Sequence, residues 1–338
     1  MNKDELPALH MDDRAFFDGV LACRLRPLAK AITLIESSRL DHQIRARSLL
    51  NALLPYTGKA IRLGISGAPG VGKSTFIEAL GNYVIDQGHK LAVLTVDPSS
   101  AATGGSILGD KTRMETLSQR ANAFIRPSPS AGNLGGVANK TREAMLLCEA
   151  AGFDVVIVET VGVGQSEIAV ASMVDMFLLL QLPNAGDDLQ AIKKGIVETA
   201  DLIAINKTDL DPRAAAVTKA QWQSALKMLR PASPNWTPPV LTLSALKKEG
   251  LTEFWNVVLR YRNTLIPTGE FEEKRRRQAA DWMWQIIHSR LDQCFQQHPA
   301  VKDALPGVTQ KVFSGCITPA AAASSLLEAA QIFDFQES

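Results

Sequence analysis

The sequence predicts an α/β fold: a doubly wound, mostly parallel sheet with helical extensions at both ends. Three observations lead there. Between residues 59 and 262, short apolar runs recur at 61–66, 90–96, 154–158, 176–182, 202–206 and 240–243. Several are almost unbroken Val, Ile and Leu, as expected for strands buried on both faces of a parallel sheet. Enough chain separates successive runs for a crossover helix. The first run also leads straight into a glycine-rich turn and a helical pattern, an arrangement common in doubly wound sheets.

Residues 1–58 form an N-terminal helical extension. Phe16, Phe17, Val20 and Leu21, then Leu28, Ile32 and Ile35, then Ile44, Leu49 and Leu53, recur at helical spacing until Pro55 and Gly58 interrupt them. This section carries no visible chemistry and reads as a packed helical cap. Residues 59–262 hold the sheet. Residues 263–338 lose the strand pattern and form a C-terminal helical region. Met283, Ile287, Leu291 and Phe295 step by four beside Trp282 and Trp284, and Thr318-Pro319 opens a further helix. The basic run Lys274-Arg-Arg-Arg277 follows Glu270, Glu272 and Glu273, so it reads as a solvated helix face with i,i+4 pairing.

Composition narrows the class. A net charge of +1 over 338 residues gives no global basic field, so no nucleic-acid partner is expected. The polar Met-Asn-Lys-Asp-Glu start is not a signal peptide. The most apolar stretch, 168–182, contains Asp175 and Gln181 and reads as a helix end plus a buried strand, so no membrane span is expected. The 4 cysteines lie far apart without a C-x-x-C, which fits reduced thiols in a cytoplasmic protein.

The chemistry begins at Gly67, Ala68, Pro69, Gly70, Val71, Gly72, Lys73 and Ser74, a complete G-x-x-x-x-G-K-S phosphate loop, with Thr75 continuing into the helix. The glycines let backbone N–H groups wrap a polyphosphate, and the helix N-terminus adds partial positive charge. Lys73 is expected to reach the β- and γ-phosphates, and the Ser74 hydroxyl to bind Mg²⁺. Asn206-Lys207-Thr208-Asp209 ends a later apolar run, at the strand end where open α/β sheets bind ligands. The Asp209 carboxylate accepts twice, matching the ring N–H and exocyclic amino group of guanine. Adenine would set a ring acceptor against it, and such a site can reject the wrong base by ~10⁴-fold. Asn206 is expected to tie this loop to the phosphate loop, and the Lys207 stem to cover the base. Ser244, Ala245 and Leu246 follow the last run, with the Ala245 N–H as the expected donor to the guanine carbonyl oxygen. GTP and GDP are therefore the expected ligands.

Glu159-Thr-Val-Gly162 follows the run 154–158 and places a carboxylate near Mg²⁺, with the Gly162 N–H toward the γ-phosphate. Asp97 after the run 90–96, and Asp110 in a glycine-rich loop, are further candidate magnesium or water-positioning carboxylates. A helix N-cap and a turn residue are the structural alternatives for these two. Lys73, Glu159 and Asp97 are the candidate catalytic residues. Val163 stands where Ras-like enzymes carry a water-orienting Gln, which points to slow intrinsic hydrolysis completed by a partner or by dimerisation.

Taken together, these motifs resemble the MeaB/ArgK-type P-loop GTPases, a family that includes the methylmalonic aciduria type A protein. The likeness lies in 67–74, 97–100, 104–114, 159–167, 182–195 and 206–209. It implies a P-loop NTPase G domain and a homodimer built through the C-terminal helices. It also implies a chaperone of adenosylcobalamin-dependent methylmalonyl-CoA mutase that gates and protects cofactor loading. The resemblance raises Asp97 and Asp110 to magnesium-site residues and makes 182–195 a further switch, with Asp187, Gln190 and Lys193 responding to the mutase. The alternative is an ATP-dependent protein kinase acting on periplasmic amino-acid-binding proteins. Asp209 argues against adenine, and no kinase catalytic loop is present. A nickel or cobalt metallochaperone would need a His-rich or Cys-containing tract that the sequence lacks.

Overall fold

The computed structural model describes residues 11–96, 114–128, 134–160, 166–183, 194–229 and 233–331. The chain divides into two compact units, Met1–Gln278 and Ala279–Ser338.

The first unit opens with helices α1 (Met11–Leu21), α2 (Leu25–Glu36) and α3 (Leu40–Leu53), followed by β1 (Ile61–Gly67), α4 (Lys73–Asp86), β2 (Leu91–Val96) and β3 (Ala123–Ser128). Next come α5 (Leu134–Ala150), β4 (Val155–Thr160), α6 (Ser166–Ala171), β5 (Met176–Gln181), α7 (Lys194–Thr199) and β6 (Leu202–Ile205). It closes with α8 (Pro212–Lys227), β7 (Val240–Thr242), α9 (Leu251–Leu265) and the first turns of α10 (Glu270–Gln297). The second unit holds the rest of α10, α11 (Pro299–Phe313) and α12 (Pro319–Ala329). The Thr318 hydroxyl caps α12 by accepting from Ala321 N at 3.2 Å.

The seven strands form one sheet in the order β3-β2-β4-β1-β5-β6-β7, with every neighbouring pair parallel. Each face supports its own apolar core. Val156, Val158, Ile203 and Ile205 pack with α1 to α3, α5 and Trp222, whereas Val155, Ile157, Leu178 and Leu241 pack with α4 and α9. Residues that alternate along one strand thus go to opposite cores, and both sets must be apolar. This accounts for the unbroken Val/Ile/Leu runs.

β3 is the strand that the apolar runs did not reveal. Arg126 and Pro127 interrupt it, and it lies at the edge of the sheet, where a residue without an N–H is tolerated. Arg126 turns to α2 and bonds Glu36 at 2.5 Å.

The basic run on α10 also differs from expectation. Arg276 and Arg277 pair with Glu273 on the surface, but Lys274 and Arg275 point inward. Arg275 grips the Asp175 carboxylate with two nitrogens, both at 2.7 Å, and donates to the carbonyls of Gly58 and Ala60, both at 2.6 Å. Lys274 donates to Asp201 Oδ2 at 2.9 Å, to the Asp175 carbonyl at 2.6 Å and to the Tyr261 hydroxyl at 3.1 Å. Asp175 and Asp201 stand just before β5 and β6, so the clamp holds the N-terminal edge of the sheet. Four consecutive basic residues span more than one helix turn, so part of the run must face the protein.

Removing one partner of such a pair leaves a buried charge without compensation. Arg275→Ala is expected to lower unfolding free energy by roughly 3–5 kcal/mol in urea titration. A loss under about 1 kcal/mol, as for a surface pair, would contradict the buried clamp.

Candidate functional site

β1 lies between β4 and β5, and its C-terminal end runs into the phosphate loop. Two glycines are fixed by contact as well as by conformation. A Cβ on Gly67 would come within 2.5 Å of the Leu180 carbonyl oxygen of the neighbouring strand. Gly72 has φ +95°, and a Cβ there would meet Asn206 Nδ2 at 2.7 Å. The loop is pinned from inside by buried Val71, whose N–H bonds the Ala68 carbonyl at 3.2 Å. Gly72 caps α4 without a side chain, and the first helical bond is Phe76 N to Gly72 O at 2.9 Å. The N–H groups of Gly70, Gly72, Lys73, Ser74 and Thr75 make no hydrogen bond among the described residues. Together they form a cradle of donors at a helix N-terminus, the ordinary geometry of a phosphate site.

Lys73 lies inside this cradle, with its Nζ donating to the carbonyls of Gly67 at 2.7 Å and Ala68 at 3.3 Å. Burial pushes its ammonium pKa down, and the carboxylates of Glu159 and then Glu167 pull it back. The next residue, Ser74, donates from Oγ to Glu159 Oε1 at 3.3 Å. Glu159 sits at the tip of β4, in register with Ile65 of β1 and Thr95 of β2. A hydroxyl and a carboxylate beside a phosphate cradle form a hard-oxygen donor set that fits Mg²⁺, which binds through one or two carboxylates and substrate phosphates.

The base side is built from the ends of β6 and β7. Asn206 joins three segments: its Nδ2 donates to the Val71 carbonyl at 2.9 Å, and its Oδ1 accepts from Ala245 N at 3.0 Å. The sequence points that Ala245 N–H at the guanine carbonyl oxygen; in the structure it is bonded to Asn206. The adjacent Leu246 is exposed, and its N–H has no partner among the described residues, so it is a second available donor. Lys207 adopts φ +60°, which carries its stem toward Gly72, where an added Cβ would lie 3.8 Å from Lys207 Cε. The Ser244 hydroxyl donates to Asp209 Oδ1 at 2.5 Å and accepts from Lys247 N at 3.2 Å. That bond holds the Asp209 carboxyl below the usual carboxylate range, with Lys247 and Lys207 adding smaller pulls.

The structure thus brings Lys73, Ser74 and Glu159 together, and joins Asn206, Lys207, Asp209, Ser244 and Ala245 around the same sheet edge. Asp97, Asp110, Gly162, Asp187, Gln190 and Lys193 lie outside the described residues. Glu167 was not singled out from sequence. It is a buried carboxylate on α6 that meets Ser66 Oγ at 3.4 Å, and no local pattern announces a contact between residues 101 positions apart.

A parallel sheet with a phosphate loop on its central strand, and a guanine-type base loop two strands away, defines a P-loop GTPase. The chain belongs to the family described as Methylmalonyl Co-A mutase-associated GTPase MeaB, which matches residues 28–300. GTPase ArgK of Escherichia coli (strain K12) is 53% identical over 257 residues, covering 76% of this chain and 78% of that protein. The mitochondrial methylmalonic aciduria type A homolog of Mus musculus is 45% identical over 342 residues, covering 97% of this chain and 82% of that protein. A crystal structure of a LAO/AO transport system kinase aligns with TM-score 0.78 and 37% identity, over 96% of this chain and 100% of that one. The protein is a GTPase, a hydrolase of GTP. Among the described residues, no helix is long and apolar enough to cross a membrane.

Ser244→Ala is expected to keep the fold and weaken GDP binding by about fivefold, because Asp209 loses the hydroxyl that aims it. A depressed pKa keeps the carboxylate charged as pH falls. Asp209 is therefore expected to add no loss of GDP affinity above about pH 5, beyond the titration of the GDP phosphate that both proteins share, with the further acid fall-off moving to higher pH in Ser244→Ala. Calorimetric titration across that range checks both; a fall-off that does not move separates Ser244 from Asp209.

Proposed function

We propose that this GTPase is a nucleotide-driven chaperone that loads and protects an adenosylcobalamin-dependent methylmalonyl-CoA mutase, working as a homodimer in the cytoplasm. The observation that carries the nucleotide part is the Ser244–Asp209–Asn206 arrangement beside the phosphate loop. It presents an aimed two-oxygen acceptor on a loop that Asn206 ties to the phosphate loop. Support for the partner comes from the family's description, which names a mutase association, and from relatives named for methylmalonic aciduria type A.

In this reading the Lys73 ammonium and the N–H groups of Gly70, Gly72, Lys73, Ser74 and Thr75 bind the β- and γ-phosphates. Asp209 takes the guanine ring N–H and amino group, and the Leu246 N–H, or a shared Ala245 N–H, takes its carbonyl oxygen. Ser74, Glu159, Asp97 and Asp110 would hold Mg²⁺, which would neutralise phosphate charge. Gly162 senses the γ-phosphate, and Asp187, Gln190 and Lys193 form the loop that answers the mutase. The two nucleotide states differ by one phosphate group, so each loop that contacts it is held by GTP and released with GDP. With Val163 in place of a water-orienting Gln, intrinsic hydrolysis is slow and a partner completes it.

The C-terminal helices supply the dimer contact. Within their unit, Met283 (51% exposed), Trp284 (54%), Leu291 (61%) and Phe313 (81%) are large apolar side chains open to solvent. Such groups in number mark protein–protein contact surfaces. The kinase reading would need adenine at a site whose acceptor is matched to guanine.

Asp209→Asn replaces one acceptor by a donor, which suits xanthine, where a carbonyl replaces the guanine amino group. GDP affinity is expected to fall by roughly 10²-fold or more, with xanthosine diphosphate then bound better than GDP. Unchanged preference for GDP over ADP would refute the base assignment. For the partner, the purified chain is titrated with purified methylmalonyl-CoA mutase holding GDP or a non-hydrolysable GTP analogue. Binding that differs between nucleotides supports the chaperone; no binding in either state rejects it.

A further inference from the structure

β7 ends the sheet on one side and keeps backbone groups without a partner. Along a strand, the N–H and C=O of one residue face one neighbour and those of the next residue face the other. Pro239 and Leu243 face β6: the Pro239 carbonyl accepts from Ile203 N at 3.1 Å, and Leu243 N donates to Ile205 O at 2.9 Å. Val240, Thr242 and Ser244 therefore face outward. Ser244 is paired there with Glu249, through antiparallel bonds of 3.1 and 3.0 Å. At Gly250 the chain leaves this pairing and enters α9. Gly250 lies against the Thr242 carbonyl, where an added Cβ would come within 2.9 Å of the oxygen. The pairing that Glu249 starts goes no further. Among the described residues, the Val240 and Thr242 N–H groups have no acceptor and no strand lies beside them.

A groove of about 1,100 Å³ runs along this edge, between α8 and α9. Leu226 of α8 and Val257 of α9 give it apolar walls. Its charge is unbalanced: Lys219 and Lys227 stand on α8 and Arg260 on α9, against Glu253 alone. None of these four makes an ion pair among the described residues, and Arg260 lies 5.6 Å from the centre of the Trp236 ring. The two lysines are eight positions apart, about 12 Å along a helix. Four residues of an extended chain cover about 13 Å, and every second side chain returns to the same face.

We propose that the β7 edge is a docking site for an extended acidic segment of a partner protein, which adds to the sheet as an eighth strand. The backbone of the segment takes the Val240 and Thr242 N–H groups. Carboxylates four residues apart on one face meet Lys219 and Lys227, and apolar side chains of the other face pack beside Val257. In strand addition the main-chain bonds give affinity and the alternate side chains give specificity. β7 is only three residues long and follows Pro238-Pro239, so few main-chain bonds form and the choice of partner falls on charge. A second copy of this chain is a poor occupant. Pairing two β7 edges would bring both sets of cations together, and like charges across an interface suppress association.

The test measures fluorescence anisotropy of a labelled Glu-Val-Glu-Val-Glu-Val peptide titrated with the full chain, beside a Lys-Val-Lys-Val-Lys-Val control. The acidic peptide is expected to saturate, to bind at least about tenfold tighter than the basic one and to weaken as salt rises. Lys219→Glu combined with Lys227→Glu is expected to cost the acidic peptide roughly tenfold, with GDP affinity and the thermal transition unchanged. Arg260→Gln, on the other wall, is expected to cost about threefold and carries the test should the double variant not fold. Two N-methylated peptides, blocked at the glutamates or at the valines, probe the backbone. Blocking the set that faces β7 is expected to lose about tenfold, and blocking the other set less than about threefold. No saturable binding of the acidic peptide, equal binding of the basic one, or equal binding by the charge variants overturns the inference. Binding indifferent to both methylations overturns strand addition. Self-association of the wild type that the double variant abolishes in sedimentation assigns the edge to a second copy, and overturns it too.

Discussion

One carboxamide holds the site together. Asn206 ends β6, yet it bonds the Val71 carbonyl in the loop after β1 and the Ala245 N–H in the loop after β7. A nucleotide is recognised at two ends several bonds apart, and the two recognising loops come from chain segments more than a hundred residues apart. Without a rigid tie, each loop would choose its own position and the distance between phosphate cradle and base acceptor would drift. The tie is buried, with Asn206 only 1% exposed, so its hydrogen bonds face little competition from water. Gly72 is part of the same arrangement, because the space that a Cβ would take there is filled by Asn206 Nδ2.

The two edges of the sheet do different work. At the C-terminal edge the polar groups gather around the candidate nucleotide site. At the N-terminal edge Arg62, Glu149, Asp175, Asp201, Lys274 and Arg275 neutralise one another and satisfy backbone groups. Glu149 takes the Gly58 N–H at 2.6 Å and Arg62 Nε at 2.5 Å, so the entry to β1 is fixed as firmly as its exit. Charges of both kinds are buried in the same small domain. What separates structure from function is whether the donors and acceptors are complete. The N-terminal edge is closed on itself, and the cradle of Gly70 and residues 72–75 is not.

Sequence made the strands and both nucleotide loops legible, because each is carried by a local pattern: an apolar run, a glycine spacing, or a four-residue motif at a strand end. The edge strand β3 escaped because Arg126 and Pro127 hide its periodicity. The inward turn of Lys274 and Arg275 escaped because a run of charge does not say which part of a helix meets the protein. Glu167 escaped for a third reason. Its contact with Ser66, 101 positions away, forms only when α6 packs beside β1. The proposed mutase partner rests on resemblance; no residue spacing carries it.

The account depends most on Asn206 as the joint between phosphate and base recognition, and titration of Asn206→Ala with GDP addresses it directly. Removing the side chain leaves the Val71 carbonyl and the Ala245 N–H without their shared partner, which is expected to weaken GDP by roughly 10- to 100-fold while the thermal transition stays cooperative. GDP affinity equal to that of the wild type would show that the two loops hold their positions without this tie, and would contradict the account.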